Sequence, residues 1–256
     1  MIHEDLRDLI AAGVRWEISD VPAAVVAQSI AAAAAAKNQP ANPAAPGRVA
    51  TMVVPPISPI QSMSVATAAA MAARPNDLNA LSRMIAEFGH PLRAGATNVV
   101  LPHIATRPNG LLIITDMPGI DDDASGTILA GAAGELFDKM LAAIGMSREC
   151  VSISPMLFWR TPGGRTPTEE EIALARPFVD RLIEMAAPRV ILTLGTFAAQ
   201  QIANVNLARS HGGPVNLDAG RIVVPIYHPN YLLLKPTAKR DAWTALQQVQ
   251  NLLKPA

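Results

Sequence analysis

The sequence predicts an α/β protein organised around a parallel sheet of four strands with helices on both faces. Three observations predict it. The apolar runs Leu111–Thr115, 150–154, Val190–Leu194 and 221–226 have the length and bounding residues of buried strands. Helix-patterned segments separate them, and a strand that returns parallel to its neighbour needs such a crossover. The loops richest in Gly, Pro and Asp follow strands, so they gather on the carboxyl edge of the sheet, where open α/β folds bind ligands.

In chain order, residues 3–14 are expected as a short amphipathic helix with Leu6, Leu9 and Ile10 inward, and the Ala-rich segment 22–36 as another. From 37 to 60 the chain holds six prolines and little charge, the composition of an extended linker. Residues 61–74, rich in Ala, Ser and Met, read as disordered or weakly helical. Asp77 suits the cap of a helix over 78–88 whose apolar face is Leu78, Leu81, Met84 and Ile85. Residues 89–108 show no regular pattern. Residues 1–75 are therefore read as a helical, Ala/Pro-rich appendage and linker, and 76–256 as the folded domain.

The first strand leads into Pro118, Gly119, the aspartates Asp121, Asp122 and Asp123, and a loop with Gly126, Gly131 and Gly134. A helix follows with Leu136, Met140, Leu141 and Ile144 on one face. After the second strand comes the loop PMLFWRTPGGRTP. Thr168 with Glu171 forms a capping box that starts a helix to about Ala187. Gly195 opens a helix to Ala203. Residues 204–220 read as loop. The fourth strand runs into YHPNYLLLKPTAKR and a final helix to Leu253.

Composition narrows the function classes. Lys+Arg and Asp+Glu both number 21, which excludes a purely electrostatic nucleic-acid binder and leaves room for a local basic patch. Cys150, the single cysteine, allows no intramolecular disulfide and no four-cysteine zinc or iron–sulfur site. No uncharged apolar run reaches the roughly 18 residues of a membrane span, and MIHEDLRDLI lacks the basic start and apolar core of a signal peptide. The expectation is a soluble, cytoplasmic protein with no membrane partner.

Three segments in order, TDMPGIDDDASGTILAGAAGELFDKML, VSISPMLFWRTPGGRTPTEEEI and HPNYLLLKPTAKRDAW, resemble one family. It is the uracil-DNA glycosylase superfamily, in particular the bacterial type whose thermophilic members carry an iron–sulfur cluster. That family's first motif is Gly-Glu-Ala-Pro-Gly with an acidic run and a Gly-rich loop. Its middle segment is a strand ending in Asn before a Pro/Arg loop, and its last motif is His-Pro-Ser-Ala-Leu-Leu-Arg. The resemblance runs from about residue 84 to 253. It implies a three-layer α/β/α sandwich with a central four-stranded parallel sheet. It also implies a monofunctional DNA glycosylase that hydrolyses the N-glycosidic bond of uracil or a related damaged base in base excision repair. The implied partner is DNA, single- or double-stranded, carrying a deaminated or damaged base. Residues 1–75 are the candidate arm for a repair or replication protein.

The sequence also departs from the family pattern. The Gly-Glu pair stands as Thr115-Asp116, the aromatic that stacks on the flipped uracil falls at Leu129, and the asparagine that reads the uracil edge falls at Pro155. The cluster cysteines are absent, with His90 and Trp159 near where two would lie, so no cofactor is expected. These departures imply divergent or weakened activity. The alternative is a catalytically decayed member that binds DNA or a partner. A third reading, an unrelated α/β nucleotide-binding protein, is opposed by the lack of GxxxxGK[ST] and G-x-G-x-x-G motifs.

Uracil excision takes the base out of the stack and stabilises charge on the departing anion and on the sugar. By the resemblance, His228 would donate to a uracil carbonyl oxygen. Asp116 would orient water or stabilise the sugar cation, with one of Asp122 and Asp123 sharing the role. Each also has a plain structural alternative, a helix-capping histidine and turn-forming or solvated aspartates. Met117, Pro118, Gly119, Leu129 and Pro155 fall at substrate-contact positions. Phe158 or Trp159 could replace the missing ring, although packing at the loop base is the commoner fate of such residues. Leu232, within the apolar stretch Tyr231 to Leu234, would wedge into the duplex. Arg160, Arg165, Lys235, Lys239 and Arg240 would meet phosphates, as would the backbone amides of the glycine loop 126–134.

Overall fold

The computed structural model describes residues 64–217 and 220–254. The helices expected over 3–14 and 22–36 and the linker 37–60 lie outside the described residues. The first elements are α1 (Val65–Ala72) and α2 (Leu78–Glu87). The Ser64 hydroxyl accepts from the Thr67 amide at 3.1 Å, and Asp77 accepts from the Ala80 amide at 2.7 Å, so each helix starts on a short polar side chain. The Ala-rich stretch before residue 75 is thus a formed helix, and it buries Ala68 and Ala72 in the core. Helix α1, which precedes the boundary drawn at 75/76, thus packs on the same core as the helix Glu169–Ala186.

The remaining elements alternate as expected. They are β1 (Leu111–Thr115), α3 (Ile120–Ser125), α4 (Gly131–Ala143), β2 (Ser152–Pro155), α5 (Glu169–Ala186), β3 (Val190–Leu194) and α6 (Thr196–Ala203). They continue as α7 (Leu207–Ser210), β4 (Val215–Asn216), β5 (Ile222–Ile226), α8 (Pro229–Leu234) and α9 (Lys239–Leu253). The sheet order is β2-β1-β3-β5-β4. β2, β1, β3 and β5 are parallel, and β4 pairs antiparallel to β5 through Val215↔Val223 and Asn216↔Ile222. The sheet therefore has five strands rather than four. The extra one is two residues long and lies in the segment read as loop, where no period could announce it.

Alternation within the strands assigns the two helical layers. Leu112, Ile114, Ile191 and Val223 point to the side covered by α1, α2, α5 and α6. Leu111, Ile113, Val190, Leu192, Val224 and Ile226 point to the side covered by α4 and α9. This is the three-layer α/β/α arrangement. No helix among the described residues is long and apolar enough to cross a membrane.

Pro155 ends β2, an edge strand, which is where a strand tolerates proline. The next amide, that of Met156, bonds back to Thr115 O at 2.9 Å, so the nitrogen of Pro155 faces away from β1. The outer edge of β2 is covered by the segment that showed no pattern. His103 and Ile153 exchange both backbone hydrogen bonds at 2.8 Å, and Ala105 N donates to Ser152 Oγ at 3.0 Å. Residues 98–109 thereby protect an edge that would otherwise offer free donors and acceptors.

Candidate active site

β1, β3 and β5 deliver their loops to one edge of the sheet. His228 follows β5 and caps α8, with Pro229 at the first helical position. Its Nδ1 accepts a hydrogen bond from the Asn230 amide at 3.1 Å. That occupies the Nδ1 lone pair and leaves the ring proton on Nε2. Burial pushes the pKa of His228 down from 6.5 to about 4. The ring is therefore a neutral imidazole with one N–H to donate. It lines a cleft of about 40 Å³ together with Gly119, Asp121, Leu129, Ala130 and Asn230. One water needs on the order of 10–15 Å³ of such space, so the cleft admits a few waters. Small-molecule sites begin at roughly 300 Å³, so it does not admit a base in this conformation.

The four carboxylates of the acidic segment have different surroundings. Asp116 turns toward α6, where its Oδ1 accepts from the Ala198 amide at 2.7 Å. Burial raises its pKa to about 6, against the pull of the Ala198 and Phe197 amides. α6 has Gly195 at its N-cap, a residue with no side chain to cap with. Asp116 thus does from β1 what an N-cap side chain normally does. The fit is close: a Cβ on Gly195 would lie 2.1 Å from Asp116 Oδ2, and Gly195 has φ of +105°. Asp122 accepts from the Gly119 amide at 2.9 Å and the Ala130 amide at 2.7 Å, tying both ends of the acidic loop together. Asp123 is buried and accepts from the amides of Thr97 and Asn98 at 2.9 and 3.2 Å. Asp121 and Asp122 both line the His228 cleft, and of the four only Asp121 is exposed.

Leu129 has φ of +51° and is buried on the α4 side of the sheet. A bulky residue at positive φ is strained and is held there by its surroundings. Arg148 supplies the hold, donating Nη1–H to Ile128 O and Nη2–H to Leu129 O, both at 2.8 Å, while its Nε bonds Asp138 at 2.7 Å. Gly134 completes it, since a Cβ there would meet Leu129 O at 1.9 Å. Met117 is half-buried and accepts at its sulfur from the Thr161 hydroxyl at 3.7 Å. Pro118 is buried, and Gly119 caps α3. Pro155, at the end of β2, is buried beside Thr115, whose hydroxyl has no partner among the described residues.

The iron–sulfur cluster raised by the resemblance does not fit the residues at its place. His90 stacks flat on Trp159, centroids 4.6 Å apart at 9°, and both ring nitrogens are engaged, Nε2 with Glu171 O at 2.9 Å and Nδ1 with the Leu92 amide at 3.1 Å. Phe88, Phe158 and Phe178 fill the surroundings. Phe158 and Trp159 are fully buried, so neither offers a ring to a base.

On the face expected to meet DNA, Leu232 is buried between α4 and α9, whereas Leu234 is 82% exposed and Leu233 40%. The outward apolar tip is thus two residues later than the position assigned from the sequence. Lys235 lies 5.6 Å over the Tyr231 ring, and Lys239 and Arg240 are exposed at the start of α9. Arg165 forks onto Glu171, holding the Glu171 carboxyl at about 2. Arg160 is partly exposed. Sequence reasoning missed Asp121 and Arg148. Asp121 stood within the acidic run with nothing to separate it from its neighbours, and the role of Arg148 depends on a fold-back across 19 residues.

A family model described as the uracil DNA glycosylase superfamily matches residues 102–247. A type-4 uracil-DNA glycosylase of Archaeoglobus fulgidus is 33% identical over 165 residues, covering 61% of this chain and 82% of that protein. A type-4 uracil-DNA glycosylase of Thermotoga maritima is 34% identical over 148 residues, 56% of this chain and 76% of its own. One of Saccharolobus solfataricus is 31% identical over 153 residues, 56% and 71%. With the strand order and the placement of His228 and the acidic loop on one sheet edge, these matches show that the chain belongs to the uracil-DNA glycosylase superfamily.

Proposed function

We propose that the protein hydrolyses the N-glycosidic bond between uracil, or a related damaged base, and deoxyribose in DNA, as the first step of base excision repair. The observation that carries this reading is the state of His228. Its Nδ1 is fixed by a backbone amide, its ring is kept neutral by burial, which leaves an Nε2–H to donate, and it lines a cleft with residues of the acidic loop. Such a donor stabilises negative charge on a departing base without proton transfer. DNA binding on the same edge is supported by Leu234 as an exposed apolar wedge and by Lys235, Lys239 and Arg240 as phosphate contacts. Asp116 supports the site by holding α6.

A second reading, a member that binds DNA without excising a base, is favoured by one observation. The cleft is water-sized, and Pro155, at the position of the family's base-reading asparagine, has no side-chain amide. Single-turnover excision from single- and double-stranded uracil oligonucleotides separates the two. Excision is expected from the wild type, and His228→Ala is expected to slow it on the order of 10²–10³-fold, the usual cost of one oxyanion donor. Intact DNA binding with no cleavage by the wild type would leave the binding module.

A further inference from the structure

We propose that Asp121 is a catalytic residue, the carboxylate that takes the proton of the attacking water. The inference rests on the glycosylase reading above and assigns a role in that same site. Placement and elimination carry it together. Of the four carboxylates in the acidic segment, Asp116, Asp122 and Asp123 each accept hydrogen bonds from backbone amides. Asp122 shares the cleft with Asp121 and His228, but its two oxygens are taken by the Gly119 and Ala130 amides, whereas the Asp121 carboxylate accepts none among the described residues.

Its place is made by Gly131. A Cβ on Gly131 would lie 2.2 Å from Asp121 Oδ2, and Gly131 has φ of +62°. Any side chain at that position would push the carboxylate away. The cleft of about 40 Å³ is then lined by a carboxylate without a hydrogen-bond partner among the described residues and by an imidazole whose Nδ1 is already engaged. It is polar and sized for water, the combination an ordered water requires.

The step balances without a further reagent. The oxygen of a water bound to Asp121 attacks C1′ of the deoxyribose as the C1′–N1 bond breaks. The electron pair of that bond leaves with N1 and spreads onto O2 of the uracil anion, which accepts the His228 Nε2–H hydrogen bond. The proton of the water passes to Asp121 and then to solvent, and the uracil anion takes a proton from solvent. One water is consumed, and free uracil and an abasic site are produced.

The test is single-turnover excision by wild type, Asp121→Asn, Asp116→Asn and His228→Ala on one uracil oligonucleotide, with DNA affinity and melting temperature measured for each. Asp121→Asn is expected to slow excision on the order of 10²–10⁴-fold, the usual worth of a positioned base. DNA affinity should be unchanged or tighter, because a negative charge is removed. The melting temperature should move little, because the lost carboxylate accepts no hydrogen bond among the described residues. Asp116→Asn keeps an oxygen for the Ala198 amide and is expected to lose less. Wild-type excision by Asp121→Asn alongside a dead His228→Ala would overturn the Asp121 assignment and leave the glycosylase reading standing. Absence of excision by the wild type would overturn both.

Discussion

His228 combines a structural and a chemical task in one ring. Its Nδ1 caps α8, so the ring cannot turn without uncapping the helix, and the cap in turn sets which nitrogen holds the proton. This coupling predicts a stability effect of definite sign. The unfolded histidine titrates near 6.5, whereas the folded one stays neutral to about 4. Between those values the unfolded chain binds the extra proton, so this residue's contribution falls as pH drops from 6.5 toward 4. His228→Ala lacks that penalty. Its melting temperature should lie below that of the wild type at pH 7.5, and the gap should narrow by pH 4.5. A gap that widens toward acid would show that the ring is not desolvated in the folded state. Asp116 has the opposite sign, because its carboxyl, raised to about 6, holds a proton that the unfolded chain has released. The variant-to-wild-type difference separates the two.

At the level of the element, the segment between α3 and α4 is held by groups distant in sequence. Asp122 joins Gly119 to Ala130, Arg148 reaches back to the Ile128 and Leu129 carbonyls, and Gly134 leaves the space that Leu129 O fills. The strain at Leu129 is therefore offset by a planar fork with each of its three nitrogens donating a hydrogen bond. Arg148→Ala should lower stability on the order of 1–3 kcal/mol, the worth of hydrogen bonds made by a charged group. Arg148→Lys should recover little, since a point charge cannot serve two carbonyls and a carboxylate in one plane. Thermal melts of both variants check this, and full recovery by lysine would show that charge rather than the fork holds the loop. The loop 156–168 is held similarly, by the Arg165 fork onto Glu171, the Thr168 capping box and the His90 bond to Glu171 O. The packed His90–Trp159 stack stands where the resemblance would put cysteine ligands.

At the scale of the whole molecule, α1 belongs to the core. Ala68 and Ala72 are buried against the layer that holds α5, and Arg181 of α5 reaches back to Pro75 O at 3.1 Å. A chain shortened to begin at residue 76 loses this layer and uncovers apolar surface. Its melting temperature should fall by several degrees relative to a chain beginning at residue 58, as roughly 1 kcal/mol shifts a domain of this size by about 2–4 °C. An unchanged melt would show that α1 adds nothing to the folded body.

The strands of this fold were legible because burial on both faces demands unbroken apolar runs, and Leu111–Thr115 and Val190–Leu194 carry them. The capping box at Thr168 and the cap at Asp77 were legible because their partners lie three residues away. The family was legible in three motifs that strand ends bring together. Other features were decided only by contacts across the chain. β4 exists because Val215 meets Val223, α1 is fixed by its packing in the core, and residues 98–109 are ordered by the free edge of β2. The site shows the same division. An acidic run announced that carboxylates would gather after β1, but four neighbouring aspartates look alike in one dimension. Which of them caps α6, which ties the loop and which is left facing His228 depends on backbone amides from residues 97 to 198. Local periodicity and capping act within one turn or one strand, so the sequence carried them. Hydrogen bonds and packing between distant segments exist only once the chain has closed on itself, and they decided the rest.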